Sequence, residues 1–430
     1  MQKLLSASRL ERLGILAWYA LLFLQVFNKF GALRLLAALV LLATLTIMGI
    51  RNLIAEHRIG LPHPIALMGM LLTTWIITVS VVGPYPVDSL HALRKDLLTQ
   101  ILLFSGGWLF VNSSTDAWRA LGVILVSFLT LTLLSVIEIV GYWSTAGFTT
   151  SIPHGHDQWT GGYGAIGAIL VPATIAWAFM PGRATHMRQA ALMFSLLAIV
   201  LVVLYWGRTH VIVMLLGIAL ILFLARQWRL LIAIFLSVAV CVVLLATSTT
   251  STTERYRSLL RPQTYVSNIG LSLRPALWQG TLEVISQRPI LGYGYGWKKL
   301  AWAINDQGFA ALWSADKTNS FNAFLTNGKA SYGRVNPHNY FLQVVFEIGI
   351  PGLVLVVIFW VMLMRHGIGL LRYSNPKDLH GFAIAGVGFL VTYWASNFTN
   401  GLWVGGLANL SLAVGGMLVA LSCVKRSSKG

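Results

Sequence analysis

Four basic side chains in this 430-residue sequence have the type and spacing needed to handle a phosphate-containing substrate. Arg208, Arg274 and Arg288 carry guanidinium groups, which stay protonated and can bind phosphate oxygens through two parallel hydrogen bonds. His338 stands immediately before a long apolar run, and a neutral imidazole is suited to accept a proton near pH 7. These residue types are suited to binding an anion and to accepting a proton, although a lone histidine is more often structural than catalytic.

The segment after Arg274 predicts a short helix. Arg274-Pro275 puts proline at the first helical position, and Pro289 ends the pattern. Apolar residues repeat at helical spacing between them: Trp278, Leu282 and Ile285. At about 1.5 Å per residue, such a helix separates Arg274 from Arg288 by roughly 20 Å, so the two cannot clamp one pyrophosphate. We expect Arg274, at the N-terminal end, to bind the anion, and we favour a structural role for Arg288.

Arg208 and two further basic residues have a plain alternative to a functional role. Arg208 lies between two apolar runs, where an arginine can simply snorkel to lipid headgroups. An ionisable group near membrane depth is nevertheless a functional candidate. Arg94 and Lys95 stand before another apolar run, and we weigh contact with a lipid phosphate equally against a solvated position.

Other polar residues favour structural readings. Glu347 lies inside an apolar run, and we expect it to be a hydrogen-bond partner within the fold. Lys298 and Lys299 predict a solvated or headgroup-facing pair. One group on a Gly-rich connector matches no strong metal-ligand spacing, so we expect no metal site there: His154, His156 and Asp157.

The composition indicates a membrane protein. Hydrophobic residues make up 57% of the chain, charged residues 10%, and the mean hydropathy is +0.73. Soluble domains usually contain about 25% charged residues. Cys241 and Cys423 both lie in apolar runs, which excludes a disulfide framework.

The apolar runs predict an all-α polytopic fold with about twelve transmembrane helices. The predicted spans are 13–27, 32–50, 64–83, 95–111, 119–142, 162–180, 189–206, 210–225, 229–247, 340–364, 380–397 and 403–423.

The basic residues set the predicted topology. The net charge of +18 is compatible with nucleic-acid binding, but many Lys and Arg residues lie in short connectors between apolar runs, which argues against that partner. With both termini inside, 16 basic residues face the cytoplasm and 5 lie in short outer connectors. We therefore divide the chain into nine spans (1–247), one large outer loop with short amphipathic helices (248–339) and three spans (340–430).

Several segments resemble the motifs of the O-antigen ligase and polymerase superfamily. Trp-Gly-Arg-Thr at 206–209 resembles its small-residue–arginine motif, although glycine stands where serine is usual. The segments 274–278 and 289–294 look like its signature of arginine, tryptophan and Pro-Ile-Leu-Gly-Tyr-Gly. The segments 338–342 and 347–352 look like its His-Asn-Tyr-Phe-Leu and Glu-x-Gly signature. The motifs agree with the family in order, spacing and membrane side.

The resemblance implies a metal-independent, inverting glycosyltransferase of the GT-C type that needs no cofactor. Its donor would be an undecaprenyl-pyrophosphate-linked glycan and its acceptor the lipid A–core oligosaccharide. It would lie among the lipids of the bacterial inner membrane, with its active site facing the periplasm. The expected catalytic residues are His338, Arg208 and Arg274. The expected donor-binding residues are Arg288, Arg94, Lys95, Asn339 and Tyr293.

Other functions share much of this pattern. We prefer a ligase because of the chain's size, its helix count and its single large loop. A polysaccharide polymerase or a protein O-oligosaccharyltransferase would use the same donor chemistry. A transporter of lipid-linked glycans belongs to another class, and it predicts internal repeats and helices broken at the membrane midplane, neither of which we expect here.

Overall fold

The computed structural model describes residues 7–56, 63–146, 162–180, 182–205, 208–247, 274–309, 311–312, 335–373, 377–398 and 405–427. These residues form helices joined by turns, with no strand among them, so the all-α prediction is confirmed. The His154, His156 and Asp157 group on the Gly-rich connector, where no metal site is expected, lies outside the described residues, as does much of the large loop.

Fifteen α-helices follow one another through the described parts of the chain. They are α1 (Ala7–Leu24), α2 (Gly31–Glu56), α3 (Pro64–Val82), α4 (Pro86–Ala92), α5 (Leu98–Leu109), α6 (Ser114–Ala146), α7 (Tyr163–Ala178), α8 (Thr185–Leu204), α9 (Arg208–Leu224), α10 (Trp228–Thr247), α11 (Arg274–Gln287), α12 (Leu300–Asp306), α13 (Tyr340–Tyr373), α14 (Lys377–Asn397) and α15 (Gly406–Ser427). A π-helix, Leu93–Leu97, joins α4 to α5, and a 3-10 turn, Trp297–Lys299, precedes α12.

Each of the twelve apolar runs contains one apolar helix. Seven helices of the described chain are long and apolar enough to cross a membrane: α2, α3, α6, α8, α13, α14 and α15. Helices α7 and α9 are apolar but shorter, and in α10 the stretch Trp228–Val240 is apolar. The protein is therefore a polytopic membrane protein, while the count of twelve spans stays a prediction.

Small residues let the helices pack closely. A side chain at Gly107 of α5 would lie 2.5 Å from the carbonyl oxygen of Ala413 in α15, and one at Gly416 of α15 would overlap the carbonyl of Phe104. In a membrane, such close backbone approach replaces the hydrophobic effect as a cause of helix association. Helix α7 is buried along almost its whole length and packs against α8, α9 and α14, so it forms the centre of this half of the bundle.

Helix α13 is broken near its start. Gly349 has φ 71° and ψ 177°, which is not helical, and Pro351 cannot donate the backbone hydrogen bond that would repair the break. The chain therefore forms two helical pieces, 340–348 and 350–373. Hydropathy alone does not reveal this break, because a Gly-x-Pro sequence inside an apolar run still reads as a continuous span.

A second, smaller apolar core lies at the end of the bundle where α13 begins. Its buried members come from α11, the turn after it, α12 and the first turns of α13: Leu277, Val284, Ile285, Tyr293, Leu300, Ala301, Ala303, Ile304, Val335 and Phe346. We call the part of this region formed by residues 274–306 the cap. The cap is thus fixed to α13 by its own core.

Candidate active site

His338 has an unusual backbone conformation. Its φ is 49°, in the left-handed region that non-glycine residues seldom adopt. The Asn336 side chain supports this conformation, because its Oδ1 accepts a hydrogen bond of 2.7 Å from the His338 N–H. The residue is exposed to solvent. A strained residue held by a local side chain, at the mouth of a helix bundle, is a candidate for function.

Asn339 has a structural role of its own. Its Oδ1 accepts a hydrogen bond of 3.1 Å from the N–H of Leu342, in the first turn of α13. This is the bond that an N-cap residue makes, and it satisfies a donor that the helix would otherwise leave free. The contact of Asn339 with a glycan donor stays a prediction. The N-cap hydrogen bond is by itself a reason for an asparagine at this position.

Trp278 connects α11 to the segment that contains His338. Its indole N–H donates a hydrogen bond of 2.9 Å to the carbonyl oxygen of Pro337, the residue before His338. Trp278 lies one helical turn after Arg274 in α11. The indole therefore fixes the start of α11 against the His338 segment, although the two are 59 residues apart in sequence.

Arg274 acts electrostatically on His338. Partial burial lowers the pKa of the His338 imidazole, and the positive charge of Arg274 lowers it further. The side chain is accessible to solvent, yet the surrounding protein removes part of its hydration. A lowered pKa keeps the imidazole neutral at pH 7, which is the form that accepts a proton. Arg274 thus favours the neutral form of His338, while the catalytic roles of the two residues stay predictions.

Arg208 begins α9. Its side chain, like Trp206 and Gly207, lies outside the described residues. The backbone at Arg208 belongs to the same end of the bundle as His338. Gly217 of α9 lies against Thr392 of α14, and Ile221 lies against Gly388, so the two helices run antiparallel. Phe398, just after α14, contacts Phe341 in the first turn of α13. Whether the Arg208 guanidinium joins Arg274 stays a prediction.

Arg288 lies at the other end of the cap helix. Helix α11 is continuous from Arg274 to Gln287, and it ends before Pro289, as predicted. The guanidinium carbon of Arg288 is 6.0 Å from the centre of the Tyr293 ring. At about 1.5 Å per residue the fourteen-residue helix keeps Arg288 roughly 20 Å from Arg274. This geometry supports a structural cation–π contact for Arg288.

Tyr293 is buried inside the cap, with 1% of its surface exposed. Its ring stacks on Phe346 at 4.8 Å between centres. Its hydroxyl lies 3.0 Å from the Val284 carbonyl oxygen and 2.9 Å from Gln307 Oε1, and donates to one of them. The expectation that Tyr293 lines a donor-binding surface fails for this reason: the side chain is enclosed by packing and offers no face to a ligand.

Arg94 and Lys95 are exposed on the π-helix between α4 and α5. A π-helix is rare and occurs often at functional sites. It rotates the chain by one extra residue, so that Arg94 and Lys95 face outward while Leu97 is buried. Their contact with a lipid phosphate stays a prediction.

The glycine turn, residues 292–296, docks onto the break in α13. The N–H groups of Tyr293 and Gly294 donate hydrogen bonds of 2.9 and 2.8 Å to the carbonyl oxygens of Phe346 and Glu347. These carbonyls are available because Gly349 interrupts the helix that would have used them. The glycine turn therefore shapes the site through backbone pairing.

Glu347 supports the same turn with its side chain. Its Oε2 accepts a hydrogen bond of 2.7 Å from the N–H of Gly296, and its Oε1 accepts one of 2.5 Å from the Gln343 amide. Both bonds are internal to the fold. The prediction that Glu347 is a structural hydrogen-bond partner is confirmed.

Lys299 was missed by the sequence reasoning. It is 2% exposed, whereas its neighbour Lys298 is exposed, so the prediction of a solvated pair is right for Lys298 and wrong for Lys299. Burial lowers the pKa of Lys299 to about 8, against the opposing charges of Glu347 and Asp88. One sequence signal could have indicated the burial of Lys299: it stands four residues before Ala303, which lies on the buried face of α12.

An apolar cavity of about 520 Å³ lies beside the site, between α3, α5 and α13. Its wall includes Met70, Phe104, Phe359 and Trp360. Tyr340, the first residue of α13, also lines it. The cavity wall thus includes the residue two positions after His338, and a hydrocarbon chain inside such a cavity would be stabilised by burial.

Residues 192–357 match the protein-family model described as O-antigen ligase. The matched region contains Arg208, Arg274, His338 and Glu347. A search of curated proteins found no match.

Proposed function

The chain carries an O-antigen ligase family domain at residues 192–357, and we propose that it is a membrane glycosyltransferase of the O-antigen ligase type. It would transfer a glycan from undecaprenyl pyrophosphate to the lipid A–core oligosaccharide. The observation that carries this proposal is the Trp278–Pro337 hydrogen bond, which holds the start of α11, where Arg274 lies, against the segment of the solvent-accessible His338.

In this reaction His338 takes the proton from an acceptor sugar hydroxyl. The hydroxyl oxygen forms a bond to the anomeric carbon of the donor glycan, and the bond from that carbon to the pyrophosphate oxygen breaks. The electron pair leaves with undecaprenyl pyrophosphate. Arg274 and Arg208 neutralise the developing charge in a site where fixed positive charge is stronger than in water. Attack from the face opposite the leaving group inverts the anomeric centre.

The donor's lipid part has a place to lie. A polyprenyl chain is apolar, and the cavity between α3, α5 and α13 is lined mainly by aromatic and aliphatic side chains. This position would put the pyrophosphate near the start of α13, close to His338. The cavity supports a lipid-linked donor over a water-soluble sugar nucleotide.

The orientation follows from the charge distribution. The excess of basic residues in one set of short connectors favours that side as cytoplasmic. The His338 end of the bundle would then face the periplasm of an inner-membrane protein. No cofactor or metal is required in this mechanism, because arginine supplies the positive charge.

A transfer assay with purified protein tests the proposal. Lipid-linked glycan serves as donor and lipopolysaccharide lacking O-antigen as acceptor. His338→Ala should slow transfer on the order of 10²- to 10⁴-fold, the usual contribution of a general base, and Arg274→Ala should do likewise. His186→Ala and Arg188→Ala are matched controls, since both residues are exposed at the opposite end of the bundle.

Three results would count against this function. Normal transfer by the His338→Ala protein would remove its catalytic role. Donor glycan that lengthens while the acceptor stays bare would identify a polymerase. Glycan appearing on protein in place of lipid A–core would identify a protein oligosaccharyltransferase.

A further inference from the structure

Lys299 joins two separate elements at its ammonium group. Its Nζ donates a hydrogen bond of 2.5 Å to Ser89 Oγ on α4 and one of 3.0 Å to the carbonyl oxygen of Gly294. It donates a third to the carbonyl oxygen of Tyr295. An ammonium group has three N–H donors and no acceptor, so these three bonds use its capacity fully. The arrangement is complete only when Lys299 is protonated.

The glycine turn that Lys299 holds is the same turn that docks on α13. Gly294 donates its N–H to the Glu347 carbonyl oxygen, and Gly296 donates to the Glu347 carboxylate. A side chain at Gly294 would overlap Ser89 Oγ, which shows how closely the turn lies against α4. The turn is thus fixed between α4 on one side and the helix that begins after His338 on the other.

We propose that protonated Lys299 is a positioning residue of the active site, which sets His338 relative to Arg274 by holding the glycine turn between α4 and α13. This inference rests on the proposed function. Lys299 does not touch the reacting groups. It acts through the turn, which follows α11 directly and therefore fixes the position of the cap against α13.

Protonation of Lys299 is sensitive to pH near neutrality. The charged groups that face it are Glu347 on α13 and Asp88 on α4, and Asp96 in the π-helix faces Glu347 in turn. Burial lowers the pKa of Lys299 to about 8 despite the two facing carboxylates. As pH rises through this value, the amine loses its charge and one of its three donors, so transfer should fall.

The effect on overall stability has the opposite sign. In the unfolded chain the amine keeps its ordinary pKa of 10.5, so between about pH 8 and 10.5 the unfolded state binds more protons at this group than the folded state. The contribution of Lys299 to the stability of the fold therefore rises with pH over that interval. If Lys299 only supported the fold, activity would follow its contribution to stability. A transfer rate that falls with pH while that contribution rises therefore indicates a positioning role.

Rate measurements from pH 6 to 9.5 at saturating donor test the inference. Wild type should lose transfer with a midpoint near pH 8. Glu347→Gln keeps an oxygen to accept from Gly296 but removes a facing negative charge, so the midpoint should move to lower pH. Lys299→Arg keeps a permanent charge and should lose the alkaline fall. Lys298→Met alters the exposed neighbour and should leave the profile unchanged.

Lys299→Met should slow transfer about tenfold or more. The variant loses the charge-assisted hydrogen bonds, and the buried carbonyl oxygens of Gly294 and Tyr295 lose the ammonium donor. A second readout is independent of activity: amide hydrogen exchange of the peptide covering the glycine turn. It should speed up in Lys299→Met and stay unchanged in His338→Ala.

Two outcomes would overturn the positioning role. One is a pH–rate profile in which Lys299→Met loses transfer at alkaline pH as wild type does, or in which the midpoint for Glu347→Gln equals that of wild type. The other is unchanged exchange of the glycine turn in Lys299→Met. If Lys299→Met does not accumulate in the membrane, the Glu347→Gln midpoint decides. Failure of the proposed function has a different signature, namely transfer that survives in His338→Ala.

Discussion

Gly349→Ala is the sharpest test of how the site is assembled. Gly349 has φ 71° and ψ 177°, a conformation that is essentially restricted to glycine. A methyl group there would overlap the carbonyl oxygen of Ile290 and lie 3.1 Å from the N–H nitrogen of Leu291. Both are backbone atoms of the segment that leads into the glycine turn, so neither can move aside without lifting the turn off α13.

The size of the effect follows from what the displacement would break. The strained backbone conformation costs a non-glycine residue about 1–3 kcal/mol. Three backbone hydrogen bonds join the segments, donated by Tyr293, Gly294 and Ile350 at 2.8–2.9 Å, and each contributes about 0.5–1.5 kcal/mol net. The sum is about 2.5–7.5 kcal/mol, a large share of the roughly 5–15 kcal/mol that stabilises a typical domain.

The matched control lies on the same helix. Gly369 has no atom within 4 Å of an added methyl group, and alanine in a helix is favoured over glycine by about 0.5–1 kcal/mol. Gly349→Ala should therefore lower the apparent Tm in detergent by several degrees, speed amide exchange of the glycine turn and abolish transfer. Gly369→Ala should leave Tm equal or higher and transfer intact. Equal behaviour of the two variants would refute the docking argument.

Three further predictions concern the reaction. Arg274→Gln removes a positive charge and raises the pKa of His338, so the acid side of the pH–rate profile should move to higher pH. An acid side that does not move would show that the charge of Arg274 does not act on His338. Trp278→Phe removes the 2.9 Å bond to Pro337 and should slow transfer about two- to tenfold, the equivalent of one net hydrogen bond; an unchanged rate would show that the bond does not position His338. Chelation of divalent ions should leave the transfer rate unchanged, and loss of activity that added metal restores would contradict charge stabilisation by arginine alone.

Much of the fold was accessible from the sequence because its signals are local. Apolar runs of near-membrane length predicted every long helix of the bundle, and Pro275 and Pro289 bracketed α11 correctly. The structural role of Glu347 was also predictable, since a carboxylate inside an apolar run must find hydrogen-bond donors. Each of these inferences needs only neighbours within a few helical turns.

The remaining features depend on partners distant in sequence. Lys299 bonds to Ser89, which is 210 residues away, and the Trp75 indole donates to the Ile348 carbonyl across 273 residues. A lysine beside another lysine after a glycine-rich turn looks solvated until α4 is placed over it. The prediction that Tyr293 binds the donor failed for the same reason. Tyr293 belongs to a family-like motif, but its ring is buried against Phe346 on another helix.

The broken helix and the glycine turn are best understood as one unit. Breaking α13 at Gly349 frees carbonyl oxygens that would be costly to leave without partners inside an apolar bundle. Two of these accept from the glycine turn, and a third, that of Ile348, accepts from Trp75 on α3 at 2.8 Å. The break therefore becomes a docking edge, and the cap carrying Arg274 is attached to the same short helical piece that begins just after His338. A change that repairs the helix must detach the cap, so the two candidate catalytic groups depend on this interruption for their common position.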